Sequence, residues 1–187
     1  MEPKELPRPS PHERDRSKES SAGAVYYVSL TTAENQPWLA VPRTRDVFLS
    51  ALRAWHAQRN GRILATIALP DVAHVLLELG SLLSAKQVVA GWKAALRHGA
   101  GYPQTFREDF HEYRLGPSEG IEDYGLYMFL APYRAKLLPV GQRWDGWWAP
   151  EPGVFQFPAA LNATGGPPEE WVNWPASRFA GLARGSP

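Results

Sequence analysis

Two apolar runs only four residues apart, RILATIAL ending at Leu69 and HVLLELG beginning at His74, leave this chain few folds to choose from. Each is short for a helix, and Pro70 and Asp71 between them supply turn chemistry, so the pair reads as two adjacent antiparallel strands. Alternation along the second strand sends Val75, Leu77 and Leu79 toward a core and puts Val72, His74, Leu76 and Glu78 on the other face, with His74 projecting away from that core. Upstream, AVYYVSL has the β-branched and aromatic texture of a strand and runs into the polar loop TTAENQP. Val47, Phe48, Ala51, Leu52 and Trp55 recur at helical steps between Thr44 and Gln58, and Leu82, Ala85, Val89, Trp92 and Leu96 do so between Leu82 and His98. FHEYRL suggests a further strand. Pro117 and Ser118 then open a third helix expected to stop at Ala131, before Pro132. Strand, helix, two strands, helix, strand, helix predicts an α+β domain, an antiparallel sheet with helices packed on one face.

The flanking segments differ from this centre. Residues 1–22 hold four prolines and ten charges, five of each sign, with almost no apolar surface to repay ordering, and residues 1–23 are expected to form a disordered tail. From Pro139 to the end lie five of the eight Trp and eight of the 18 Pro, so residues 139–187 read as a Trp- and Pro-rich C-terminal extension packing on the domain at 24–138. Chain-wide, 20 Lys and Arg against 19 Asp and Glu give a net charge of +1, so any charge-driven partner must be met by a local patch. The absence of cysteine excludes disulfides, thiolate catalysis and thiolate metal sites. No secretory signal or run of ~18 uncharged apolar residues is present, and a soluble, cytoplasmic protein with no membrane partner is expected.

In order and spacing, AVYYVSLTT, ILATIALPDVAHVLLELG, SAKQVVAGWKAALRHG and TFREDFHEYRLGPSEGIEDYGLYMFLAPYRAKLLP resemble the REP-associated tyrosine transposases, a branch of the single-tyrosine HUH transposases. The resemblance spans Val25 to Leu138 and implies a ferredoxin-like sheet. In that family a strand motif M-P-(N or D)-H-V-H carries two histidines that bind Mg or Mn and polarise a scissile DNA phosphate. Residues i and i+2 of a strand lie ~6.6 Å apart on one face, close enough to converge on one ion. The matching residues here are Leu69, Pro70, Asp71, Val72, Ala73 and His74, so the second histidine is kept as His74 and the first is replaced by Val72. Asp71 could stand in only if a bulge reversed the alternation. The family's nucleophile precedes an Asn by four residues in Y-x-x-x-N-P-x-R-A-G-L. YMFLAPYRAKLL places Tyr127 on the nucleophile and Ala131 on the Asn.

The resemblance therefore implies attack of the Tyr127 phenol on a DNA phosphate, with two expected ligand positions lost and cleavage weakened or abolished. DNA binding is expected separately. From Leu79 to Arg107 no acidic residue occurs, while Lys86, Lys93, Arg97 and Arg107 do, and Arg134 and Lys136 beside Tyr127 would extend the same patch. The expected partner is hairpin or single-stranded DNA, in DNA transposition. Dimers occur in such families, so a homodimer is among the expected assemblies. His111 and Glu112 match a further stretch of the family and read as supports for the helix carrying Tyr127. His12, His56 and His98 are expected on the surface. The rival reading is a non-catalytic interaction module that offers its Trp-rich tail to a protein partner.

Overall fold

The structure, a computed structural model, describes residues 22–100 and 106–175. His12, nearly all of the predicted tail and residues 176–187 of the extension lie outside them. The elements run β1 (Val25–Thr31), α1 (Pro42–Ala57), β2 (Gly61–Ala68), β3 (Val72–Leu79), α2 (Ala85–Ala100), β4 (His111–Arg114), α3 (Ile121–Arg134), β5 (Trp147–Trp148) and α4 (Glu169–Val172). The five strands form one sheet in the order β4-β1-β3-β2-β5, antiparallel at every junction. This is an α+β fold, and its strands and helices follow one another in the order read from the sequence.

Local chemistry explains the boundaries. The β2–β3 hairpin closes where the Leu69 N–H donates to the Val72 carbonyl (2.8 Å) around Pro70 and Asp71. Helix α2 begins in a reciprocal cap: Ser84 Oγ accepts from the Gln87 N–H, and the Gln87 side-chain oxygen accepts from the Ser84 N–H (2.9 Å). That cap starts the helix after Leu82, which is 72% exposed instead of lying on the buried stripe, and Val88 takes the inward place. Helix α3 continues past Pro132 to Arg134, where only the last turn has to absorb the missing donor. It ends with Lys136 N–H donating to the Tyr133 carbonyl and Leu137 N–H to that of Pro132, closed by Lys136 at φ 54°, a left-handed position usually given to glycine.

The sheet has two cores. On one face Val28, Leu30, Ile63, Val75 and Leu77 pack under α1 and α2, where Phe48, Leu52, Val89, Trp92 and Leu96 meet them. The two helices share this face as crossover connections of one hand require. Helix α3 departs from the one-sided arrangement and covers the other face with Tyr124, Met128 and Phe129, against Tyr27, Leu64, Ile67 and Leu76. A register shift between Ile63 and Ala65 turns both Leu64 and Ala65 toward α3. Both faces of β3 are therefore covered, and His74 is directed into a second layer instead of away from the protein's interior.

The extension lines that same second layer. Trp144 Nε1 donates to the Ala68 carbonyl (2.9 Å), the Ala68 N–H donates to Gly146 (2.9 Å), and β5 pairs with Thr66 and Ile67. Phe155 and Phe157 are buried in the α3-side core, and both oxygens of Glu122 on α3 accept backbone N–H groups, from Gln156 and Phe157. Gly125 is obligatory in this contact because a Cβ there would overlap the Phe155 ring. Among the described residues no helix is long and apolar enough to cross a membrane.

Candidate catalytic and nucleic-acid site

The strand register assembles the site. Ser29 on β1 pairs with His74 on β3 and with His111 on β4, so the three side chains stand in one row across the sheet. The next row on that face is Leu76, Tyr27 and Tyr113. Tyr27 Oη and His74 Nδ1 share a 2.9 Å hydrogen bond, with the rings stacked at 5.6 Å. The ring of His111 meets Tyr27 edge-on at 6.5 Å, and that of Tyr124 from α3 lies at 5.7 Å. His74 is 8% exposed, and burial, followed by the neighbouring charge of His111, lowers its pKa from 6.5 to about 4, so its imidazole is neutral at pH 7. Burial likewise raises the Tyr27 phenol well above its usual value, with Tyr127 and Tyr124 adding to the effect.

Tyr127 projects from the middle of α3, half-buried against the second core and close enough to Tyr27 for their phenols to interact. The Arg134 guanidinium lies 5.9 Å from the Tyr127 ring centre and donates to the Trp174 carbonyl (3.1 Å). Burial lowers the pKa of Arg134 while Tyr127 opposes the shift. Tyr127, His74 and Arg134 thus belong to one face of the molecule.

The ligand positions of the motif do not gather in the same way. Val72 and Ala131 pack against the α3-side core and offer only hydrocarbon. The register of β3 with β1 runs unbroken from Thr31 opposite Val72, so no bulge brings Asp71 round. Among the described residues no group of three or more His, Asp or Glu side chains could hold a metal ion. Of the motif's two histidine positions and its Asn position, only His74 keeps a side chain able to ligate a metal. Glu112 pairs with Val28, and alternation sends it to the α1 and α2 side, away from His111 and Tyr127. The half-buried His111 stays on the site face, with Nε2 sealed from solvent and without a hydrogen-bond partner.

The sheet divides the basic residues. Lys86, Lys93 and Arg97 stand on α2, and Arg134 and Lys136 at the end of α3 on the opposite face, so they do not make the single patch expected. Lys86 and Arg97 are exposed. Lys93 Nζ instead donates to the carbonyls of Arg107 (2.6 Å) and Glu108 (2.9 Å) and sits 5.5 Å over Phe110, and burial lowers its pKa. Arg107 donates to Asn35 Oδ1 (2.9 Å). These two act first as staples for the chain leading into β4. His98 is exposed, but His56 is half-buried: its Nδ1 accepts from the Ile63 N–H (3.0 Å) and its ring meets Trp148 edge-on.

Two contributors escaped the sequence reading. Tyr27 was one more aromatic in a strand, and only the pairing of β1 with β3 reveals its hydroxyl beside His74. Glu119 accepts from the Tyr113 and Tyr124 hydroxyls and from the Gly116 N–H, fixing the start of α3. A groove of about 570 Å³ lies at the other end of β1, lined by Gly23, Ala24, Arg114, Gly116 and Glu119, and includes none of the residues expected to act on DNA. The five Trp side chains of the extension all pack against the body, Trp148 on the α1 and α2 side and Trp144, Trp147, Trp171 and Trp174 on the α3 side.

A sheet of order 4-1-3-2 with two helices on one face and a tyrosine-bearing helix on the other is similar in fold to a solved transposase. More particularly, the chain has the fold of the REP-associated tyrosine transposases: it resembles the structure of one such protein bound to a REP hairpin, with a TM-score of 0.60 at 14% identity over 70% of this chain and 79% of that one. A protein from Deinococcus radiodurans R1 assigned as a transposase also resembles it, with a TM-score of 0.44 at 17% identity over 54% of this chain and 85% of the other. No protein-family profile matches the sequence. No curated protein matches it either.

Proposed function

We propose that this protein binds hairpin or single-stranded DNA as a member of the tyrosine transposase type, in DNA transposition, with its capacity for strand cleavage reduced or lost. The observation that carries the reading is the position of His74 and Tyr127 beside Tyr27, with Arg134 over the Tyr127 ring, on one face of a fold whose similar structure holds a REP hairpin. In the full reaction the Tyr127 oxygen would form a bond to phosphorus, the phosphodiester P–O bond would break, and the phenolic proton would be exchanged through solvent for the one that makes the leaving oxygen a free hydroxyl. A phenol of pKa ~10 is a weak nucleophile without activation of the phosphate. Val72 and Ala131 supply none, and His74 has one nitrogen engaged by Tyr27. Binding asks less of the site: Arg134 and Lys136 at the end of α3 offer positive charge beside Tyr127, and Lys86 and Arg97 form a second basic surface across the sheet.

The test is a mobility-shift titration of repeat-derived hairpins at two salt concentrations, read again after denaturation. The expected result is a salt-sensitive shift with little covalent product, and an affinity reduced at least tenfold by Lys136→Glu together with Arg134→Gln. No shift for any structured or single-stranded DNA would overturn the reading. An abundant adduct lost in Tyr127→Phe would overturn the claim that cleavage has declined.

A further inference from the structure

Helices α1 and α2 lie side by side over the first core and share an outer face that no other described element covers. They meet where Trp55 stands edge-on to Trp92 and where the Val47 side chain lies against Gly99, so the pair runs antiparallel. The charge on this layer is one-sided. Arg43 and Arg53 of α1 and Lys86 and Arg97 of α2 are exposed, and Asp46 is the one acidic residue on either helix. No ion pair joins Arg43, Lys86 or Arg97 to a carboxylate among the described residues. Lys86 and Arg97 stand three helical turns apart, so they are in line along α2 at a separation of ~16 Å. The cations also reach both margins of the layer: Arg53 lies 5.4 Å over the Trp148 ring of β5, at one rim of the sheet, and Lys93, in line with Lys86 and Arg97, is tied to the chain entering β4 at the other.

Between these margins the floor is low. Ser50 and Ala54 on α1 and Ala90, Gly91 and Ala95 on α2 are exposed. A Cβ at Gly91 would meet nothing within 4 Å, so packing inside the chain does not call for the glycine, although glycine within a helix is less stable than alanine. The large exposed apolar side chains of the described residues, Val41, Leu82, Leu137 and Val140, all lie off the two helices, so this face lacks the apolar anchors that protein interfaces bury. A second copy of the chain would set like charges against one another. A phosphate backbone suits both features, since it needs cations spaced along its path and a surface shallow enough to let it approach.

We propose that the outer face of α1 and α2 docks double-stranded DNA through its backbone, without reading its sequence, as a second surface separate from the α3 side. One chain then holds a duplex on one side of the sheet and a hairpin or single strand on the other. The joint use rests on the function proposed above for the α3 side; the duplex surface does not, and the two can fail separately.

The full chain is titrated by fluorescence anisotropy with a blunt duplex and, separately, with a single-stranded oligomer, over a series of salt concentrations. Duplex binding should be saturable and salt-sensitive. Arg43→Gln with Arg97→Gln should weaken it at least tenfold and lower its salt slope by about 1.8, two phosphates' worth. Gly91→Gln places a side chain in open space, so the urea midpoint should hold while duplex affinity falls at least threefold. Arg134→Gln with Lys136→Glu should weaken the single strand and not the duplex, and both DNAs should enter one complex. Absence of duplex binding, duplex affinity unchanged in Arg43→Gln with Arg97→Gln, or displacement of the duplex by the single strand would each overturn the proposal. Displacement of the duplex by polyglutamate at equal charge would overturn it too, in favour of an acidic protein. Duplex binding as expected with no binding of single strands or hairpins would sink the α3-side reading alone.

Discussion

The two faces of the sheet are built on different principles. Under α1 and α2 the contacts are hydrocarbon and indole, with Phe48, Leu52, Val75, Leu77 and Leu96 essentially inaccessible and Trp55 meeting Trp92 edge-on. Under α3 the same sheet presents Tyr27, Ser29, His74 and His111, and the cover is shared between a helix and an extension from the far end of the chain. The first face is what hydrophobic burial alone would select. The second mixes apolar mass with hydroxyls and imidazoles whose partners have to be found individually. Buried polar atoms without a hydrogen-bond partner among the described residues occur on both sides: the indole N–H groups of Trp38, Trp55 and Trp92 in the first core, and Ser29 Oγ and His111 Nε2 in the second layer.

Mutations on the two sides should separate stability from binding. Phe48→Ala, at 0% exposure, is expected to cost about 3–5 kcal/mol in urea unfolding while leaving hairpin affinity of the folded protein unchanged; a parallel loss of affinity would mean that the faces are not independent. The α3 side should show a pH dependence that the other lacks. His74 has a folded pKa of about 4 against 6.5 in the unfolded chain, so the unfolded state holds more protons between those values and stability falls as pH falls through the window, by about 3 kcal/mol in total. Urea melts from pH 7 to pH 4 in chelating buffer should lose that component in His74→Gln, and an unchanged slope would place it on other groups. Gly125→Ala should cost about 1–3 kcal/mol by driving a methyl into Phe155, and limited proteolysis should then cut within residues 150–160 sooner than in the unaltered protein. Equal protection would show that the extension holds without α3.

Much of the framework could be read from the chain because alternation and helical spacing report directly on which side chains share a face. The hairpin at Pro70, the helices around Phe48 and Trp92 and the strand at His111 all announce themselves in this way. Alternation is silent on what covers the second face, so His74 read as projecting outward although Tyr27 and α3 enclose it. A clue was present in HVLLEL, whose nearly continuous apolar run is what a strand buried on both sides looks like. Tyr127 and His74 are singled out only by the resemblance of the segments that carry them to the transposase motifs. His111 as a neighbour of His74 was not, since the two meet only when β4 and β3 both pair with β1. The division of the basic residues was hidden for the same reason: sequence proximity of charges does not tell which side of a sheet each helix takes.

The pairing of Trp147 and Trp148 with β2 has a consequence for self-association. A sheet rim with free backbone groups invites another chain to add a strand, the route to amyloid-like stacking. Here one rim is occupied by the protein's own distal segment, and the other is the four-residue β4 with Glu112 and Arg114 exposed along it. Strand addition is therefore discouraged at the Ala68 end of β2 and along the short, charged β4.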